Sequence, residues 1–228
     1  MQFDVNFKLG FPADNMEFVY SSHNLEHLDQ LTFGRVISEV SRVLKTGGLF
    51  FVKIPGFDEL LEGIRKGSFP SGYHRALCGL QSTWHVHRVS LSAWQIFSFM
   101  ICCAWNHEYS DNYFEQNRRK DKVNGYFGPV PNLEDKFIEQ LSSVLSLNEL
   151  GAFLRRKFIE FQHNTKTSWT FNHQNAWSTK ELIEQISAYG FEAISTQRDD
   201  IVKKLGGSVP RFFMTQRDVS TWVLFRKQ

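Results

Sequence analysis

The feature that most constrains this chain is a strand, a helix and a second strand in close succession. EFVYSS at 17–22 is apolar, of strand length, and ended by small polar residues. From Asn24 to Leu44, apolar residues recur every three or four positions, which predicts one buried helix face. LFFVKIP at 49–55 predicts the second strand. A helical crossover of this length normally joins parallel strands, so the pattern predicts an α/β fold with helices covering the sheet.

Local signals predict where that helix begins and ends. Asn24 is expected to cap the first turn by accepting a hydrogen bond from a free backbone N–H. Glu26 is expected to favour the positive end of the helix dipole. Gly47 and Gly48 are expected to end the helix, because glycine readily adopts the conformation that follows a helix C-terminus.

The same alternation of elements resumes near the C-terminus. Ser178 and Glu181 form the capping-box signature S-x-x-E, and a periodic apolar segment then continues to Gly190. FEAIST at 191–196 and STWVLFRK at 220–227 predict two closing strands. The long polar segment between these strands predicts a surface connection.

The middle of the chain has a different character. Helical patterns at 91–105 and 133–161 are separated by segments that contain proline and glycine. We therefore predict a partial α/β core at 1–56 and a mostly helical insertion or lid at 57–174. The last helix of the core and an antiparallel strand pair are expected at 175–228.

Composition excludes several classes of function. The net charge is +2, and the basic cluster RRK at 118–120 adjoins Asp121, so no nucleic-acid partner is expected. The most apolar stretch, 93–105, is too short to span a bilayer, and the N-terminus has no signal-peptide pattern. With three cysteines expected to be reduced, this predicts a cytoplasmic protein. His85 and His87 have no further ligand at a suitable spacing, so no metal site is expected.

Two stretches of the chain resemble a known protein family. FPADNMEFVYSSHNLEHL at 11–28 and RVISEVSRVLKTGGLFFVKIPG at 35–56 resemble the second half of class I S-adenosylmethionine-dependent methyltransferases. The closest group is type 11, with His-x-Leu-Glu-His after one strand and Leu-Lys-Pro-Gly-Gly before the next. Here Thr46 stands in place of the usual proline. The closing helix and strand pair also resembles this family, which implies a Rossmann-like sheet over about 1–56 and 175–228.

The resemblance implies S-adenosylmethionine as the cofactor. Asp4 falls where an acidic side chain of the family contacts the adenine amino group, and Val5 would offer its backbone there. Ser21 and Ser22, at the end of the predicted strand, would line the methionine side of the cofactor.

The resemblance also implies a small-molecule methyl acceptor. His23 would face the transferred methyl group and would act as a general base if the acceptor must lose a proton. His27, Trp169 and His173 are candidates for binding the acceptor. A structural hydrogen-bonding role at the helix start is the alternative for the two N-terminal histidines, and a bulky core is the alternative for the aromatic residues. A lipid-like, quinone-like, aromatic or sugar acceptor would fit the pattern.

The chain departs from the family in one important respect. It contains no D-x-G-x-G-x-G turn of the kind that approaches the cofactor after the first strand of the family. The N-terminal strands are therefore expected to be missing, which would leave EFVYSS at the edge of the sheet. A fragment of a longer enzyme, a non-catalytic scaffold or interaction module that has lost cofactor binding, and an edge completed by a homodimer or partner chain are three alternatives.

Overall fold

The structure is a computed structural model, and the chain divides into two compact units, residues 1–58 with 177–228 and residues 59–176. The predicted three-segment division into folding domains stays a prediction. The residues that the structure describes are 8–67, 92–102, 104–106, 133–165, 169–171, 173–206 and 220–228.

The elements alternate between strands and helices at both ends of the chain. The strands are β1 (Met16–Ser22), β2 (Leu44–Pro55), β3 (Ala104–Asn106), β4 (Trp169–Phe171), β5 (Phe191–Ser195) and β6 (Ser220–Lys227). The helices are α1 (Gln30–Val43), α2 (Phe57–Lys66), α3 (Ala93–Cys102), α4 (Asp135–Val144), α5 (Leu147–Thr165), α6 (Thr179–Ser187) and α7 (Arg198–Leu205). None of the described helices is both long and apolar enough to cross a membrane.

A four-stranded sheet in the order β1-β2-β6-β5 forms the centre of the first unit. β1 and β2 are parallel, with Ser22 beside Lys53. β6 runs antiparallel between β2 and β5. Within the described residues, β1 is therefore an edge strand. The predicted α/β fold class, with a parallel pair and an antiparallel end, is confirmed.

Helices cover both faces of this sheet. Phe50, Val52 and Ile54 of β2 pack in one core with residues of α1 and α6. Phe51, which points the other way, packs with Ile201 of α7 in a second core. The alternation of β2 side chains between the two cores explains why its sequence is apolar without interruption.

The second unit is helical over most of its described residues. Its elements include α3, α4, α5 and a short antiparallel pair in which Ala104 of β3 lies opposite Phe171 of β4. Leu150, Leu154 and Phe158 on α5 are buried, at the helical spacing that the sequence showed. The predicted helical character of this segment is confirmed for the residues described.

The predicted start of α1 is wrong by several residues. The side chain of Asn24 makes no capping hydrogen bond, and Leu25–His27 form a single 3₁₀ turn. The cap is Asp29, whose Oδ1 accepts a hydrogen bond from the backbone N–H of Thr32 at 2.8 Å. The 3₁₀ turn lies between the end of β1 and the start of the helix.

Two further predictions differ from the structure. Gly47 and Gly48 lie inside β2, which begins at Leu44 with an irregular register opposite β1. Gly47 has a φ of 81°, a conformation that glycine adopts without strain. The polar segment after β5 contains α7, because Ile201 and Leu205 form a buried stripe four residues apart among charged residues.

The predicted capping box of Ser178 with Glu181 is confirmed.

Candidate active site

A sharp turn follows β1 at the carboxyl end of the parallel pair. His23 has a φ of 48°, in the left-handed region that few residues other than glycine occupy. Its backbone N–H donates a hydrogen bond to the carbonyl of Lys53 at the end of β2, at 2.9 Å. In open α/β sheets, ligands bind beyond the carboxyl ends of the strands, so this turn lies where a site is expected.

The turn brings His23 to the beginning of the last strand. Its Nε2 lies 2.8 Å from Oγ of Ser220, although the two residues are 197 positions apart. Ser220 is buried and pairs with Pro55 across the β2–β6 ladder. Because β6 is antiparallel to β2, its first residue lies at the carboxyl end of β2. The sheet topology therefore assembles this contact.

A buried carboxylate lies on the other side of the histidine ring. Oε1 of Glu26 is 3.6 Å from Nδ1 of His23 and 3.8 Å from Nε2 of His27. The Glu26 side chain is only 1% exposed, whereas the two imidazoles are 38% and 37% exposed. Among the described residues, neither carboxylate oxygen of Glu26 has a hydrogen-bond partner. Burial without hydrogen bonds costs a polar group several kcal/mol, about 2–7 by transfer data, so this carboxylate is unusual.

A cavity of about 480 Å³ opens beside this cluster, between β1 and α1. The volume is within the range of small-molecule sites, about 300–1,000 Å³. Oγ of Ser21 is buried and has no hydrogen-bond partner in the described part of the chain. The lining combines apolar side chains with polar groups from the strand end: Leu9, Val19, Tyr20, Ser21, Ser22, His23, Asn24, Leu25, Leu28, Val36, Val40 and Phe50.

The structure brings together four of the predicted site residues. Ser21, Ser22 and His23 line the cavity, and His27 lies on the far side of Glu26. Their roles in binding and catalysis stay predictions.

The other predicted site residues belong to the undescribed N-terminus or to the second unit. Asp4 and Val5 lie outside the described residues. Trp169, in β4, and His173 belong to the second unit, where His173 is buried and its carbonyl accepts a hydrogen bond from Arg155. The roles predicted for these four residues also stay predictions.

Two residues of the cluster were missed as site residues. Glu26 was expected to interact only with the helix dipole, and Ser220 had no assigned role. The signal for Ser220 was its position as the first residue of a closing antiparallel strand, which the topology places at the same edge as His23. The signal for Glu26 was its spacing, three residues after one histidine and directly before the next.

Lys53, at the same end of β2, faces away from the cavity. Its side chain is fully buried, and Nζ lies 4.9 Å from the centre of the Trp222 ring. Trp222 packs in the core beneath α7, on the sheet face opposite α1. Arg198 also stacks on this ring, with Cζ 5.1 Å from its centre. We assign this pair of cations to the packing of the second face.

Comparison with known proteins gives a family match in the N-terminal part of the chain. Residues 1–52 match the family profile described as "Methyltransferase domain". The matched segment includes β1, the His23–His27 cluster, α1 and most of β2. No curated protein matches the chain.

Several solved structures match the chain at low sequence identity. One is an S-adenosylmethionine-dependent methyltransferase from Mesorhizobium loti, 12% identical, covering 96% of this chain and 65% of that one, with a TM-score of 0.35. Another is PKMT2 from Rickettsia typhi, 10% identical, covering 94% of this chain and 36% of that one, with a TM-score of 0.33. PKMT2 in complex with AdoHcy is 11% identical, with coverages of 98% and 37% and a TM-score of 0.34. The chain spans less than two thirds of the length of each.

The family match agrees with the resemblance predicted from the sequence. The predicted resemblance to methyltransferases is confirmed over residues 1–52. The sheet order β1-β2-β6-β5 has the parallel pair and the antiparallel end that the resemblance implied.

Proposed function

We propose that this chain contributes to S-adenosylmethionine-dependent transfer of a methyl group to a small-molecule acceptor. The observation that carries this proposal is the cavity at the end of β1, whose polar lining lies inside the segment that matches the methyltransferase domain. When bound, S-adenosylmethionine supplies a methyl group on a positively charged sulfur.

The residues of the cavity fit such a cofactor. Ser21 offers a buried hydroxyl that has no hydrogen-bond partner among the described residues, and a polar group of a ligand would satisfy it. Ser22 and Asn24 add further polar groups, and the partly exposed side chains of Val19 and Val36 add apolar surface against which a planar group can pack.

Methyl transfer requires alignment and exclusion of water more than covalent help. The cavity supplies alignment, and His23 supplies a ring nitrogen that can take a proton from the acceptor. His27, Trp169 and His173 are proposed to contribute to binding the acceptor. We infer a cytoplasmic location from the same sequence features as above.

The first experiment is calorimetric titration of the folded chain with S-adenosylhomocysteine, the product form of the cofactor. We expect saturable binding with a Kd of about 1–100 μM. Ser21→Val should weaken binding at least about tenfold, because it fills part of the cavity and removes the hydroxyl. Ser38→Val is the matched control, since Ser38 is exposed on α1 and does not line the cavity, and it should bind like the wild type.

Absence of binding by a folded chain would overturn the proposal. The observation that then favours a non-catalytic interaction module is the edge position of β1 within the described residues. Another chain can add a strand at such an edge. Sedimentation analysis would then show a dimer, or a complex with a partner chain. In either case the measured mass would increase with protein concentration.

A further inference from the structure

We propose that Glu26 sets the tautomer of His23 so that Nε2 is the basic ring nitrogen, and that the methyl acceptor is a hydroxyl compound. The second part deepens the proposed function and depends on it. The first part depends only on the geometry of Glu26, His23 and Ser220, and it can be tested without cofactor or acceptor.

The first step of the argument is the carboxylate. A carboxylate only accepts hydrogen bonds, and the buried oxygens of Glu26 have no hydrogen-bond partner among the described residues. Oε1 lies 3.6 Å from Nδ1 of His23, and a small adjustment would bring the two atoms into hydrogen-bond range. A proton on Nδ1 therefore stabilises the buried carboxylate, whereas a lone pair on Nδ1 would repel it.

The second step is the hydroxyl. In a neutral imidazole, one nitrogen carries the proton and the other accepts, and the partner of one nitrogen decides the state of the other. With the proton on Nδ1, the lone pair of Nε2 faces Oγ of Ser220 at 2.8 Å, and the hydroxyl donates to it. The imidazole thus has a hydrogen bond to the hydroxyl at Nε2 and an electrostatic contact with the carboxylate at Nδ1, and both favour the same tautomer.

The third step is rigidity. The backbone N–H of His23 is bonded to the carbonyl of Lys53, and the residue has a φ of 48° that fixes the direction in which the ring leaves the turn. Ser220 is anchored in the β2–β6 ladder. The ring is therefore held between two fixed points, while its exposure of 38% leaves it open to an acceptor.

The acceptor class follows from what Nε2 faces. The hydroxyl of Ser220 occupies the position from which a proton can be given to Nε2, and rotation of this small side chain to another rotamer vacates that position. An acceptor hydroxyl placed there gives its proton to Nε2 as its O–H bond breaks. The oxygen forms a bond to the methyl carbon, and the electron pair of the broken S–C bond stays on the cofactor sulfur. Glu26 and Ser220 are positioning residues in this step.

The test is the ¹⁵N spectrum of the histidine side chains in the full chain, recorded at about pH 8, above the ordinary histidine pKa. His23→Gln removes one set of signals and so assigns His23. We expect the wild type to show a protonated Nδ1 and an unprotonated Nε2. Glu26→Gln should lower the fraction of His23 that is protonated on Nδ1, because the neutral amide oxygen attracts that proton less than a carboxylate does and the amide N–H can instead donate to Nδ1.

Glu39→Gln is the matched control, since it removes another largely buried carboxylate of the same unit, one that accepts hydrogen bonds from Leu9 and Arg42. It should leave the His23 signals unchanged. A proton on Nε2 in the wild type, or a proton distribution in the Glu26→Gln protein that is unchanged from the wild type, would overturn the tautomer assignment.

Ser220→Ala tests the acceptor class. Removing the hydroxyl leaves Nε2 without its donor, so phenol added to this variant should shift the Nε2 signal and anisole, its methyl ether, should not. An equal effect of phenol and anisole, or no effect of either, would overturn the hydroxyl assignment. Both results are independent of whether the chain binds S-adenosylhomocysteine, so failure here is distinguishable from failure of the proposed function.

Discussion

Glu39 and Glu26, two largely buried carboxylates of the same unit, are held in opposite ways. Glu39 accepts hydrogen bonds from Nε and Nη2 of Arg42, both at 2.8 Å, and from the backbone N–H of Leu9 at 3.0 Å. Glu26 is more deeply buried and, among the described residues, has no hydrogen-bond partner. Its near neighbours include two imidazole rings at 3.6 and 3.8 Å.

This difference separates a structural carboxylate from a candidate functional one. Arg42 also donates to the carbonyls of Leu9 and Phe11, so the Glu39–Arg42 pair fastens the segment before β1 to α1. The hydrogen bonds from Arg42 hold the pKa of Glu39 below its ordinary value. Glu26 has no such compensation, and groups left unsatisfied in this way concentrate at sites where a protein sacrifices stability for function.

The largest effect is expected for Glu39→Gln. The change removes the charge from three hydrogen bonds and leaves Arg42 without an anion, which should lower the free energy of unfolding by about 2 kcal/mol. Urea denaturation at neutral pH measures this difference. Glu184→Gln is the control, because that carboxylate is exposed and contacts Lys180 only at 3.8 Å.

The pH dependence sharpens the same prediction. Hydrogen bonding to Arg42 lowers the pKa of Glu39 in the folded state. The contribution of Glu39 to the free energy of unfolding is therefore complete at a pH above the pKa that this residue has in the unfolded chain. It is lost as the pH falls through the lower pKa that the residue has in the folded protein. The difference between the wild type and Glu39→Gln should therefore be full at neutral pH and much smaller at about pH 3. A difference that stays constant between these pH values would show that the ionised carboxylate is not the stabilising species.

A smaller effect on stability is expected for Glu26→Gln. The carboxylate makes no hydrogen bond to any described residue, so an amide of the same shape should change the free energy of unfolding by less than about 1 kcal/mol. The same urea titration measures it. A decrease in the free energy of unfolding as large as that expected for Glu39→Gln would make Glu26 a structural residue. The contrast between the two carboxylates would then be removed.

The parts of the fold that sequence predicted well depend on local patterns. Apolar runs of strand length predicted β1, β2, β5 and β6, and the S-x-x-E signature predicted the start of α6. Each of these patterns depends only on residues that are a few positions apart in the sequence. The start of α1 was wrong because Asn24 and Asp29 are both good caps. Which of them is used depends on how far the chain must travel from β1, and this is a property of the tertiary structure.

The candidate site was predictable only in part, for the same reason. Ser21, Ser22 and His23 adjoin a strand end, and a strand end is visible in the sequence. The contact of His23 with Ser220 depends on the antiparallel insertion of β6 beside β2, which joins residues from opposite ends of the chain. The burial of Glu26 was also hidden, because a glutamate in the first turn before a helix is usually exposed to solvent.

The smallest effect is expected for Glu17→Gln. Nζ of Lys45 lies 2.9 Å from Oε1 of Glu17, and this contact lowers the pKa of Glu17, as Arg42 lowers that of Glu39. The side chains of this pair are 47% and 82% exposed, so water screens the attraction, and the midpoint of urea denaturation should not change measurably. If Glu17→Gln were as costly as Glu39→Gln, a lowered pKa alone would mark a structural carboxylate. If Glu17→Gln has no measurable effect on stability, burial together with several hydrogen-bond donors marks Glu39 as a structural carboxylate. Burial without hydrogen-bond donors then marks Glu26 as the candidate functional one.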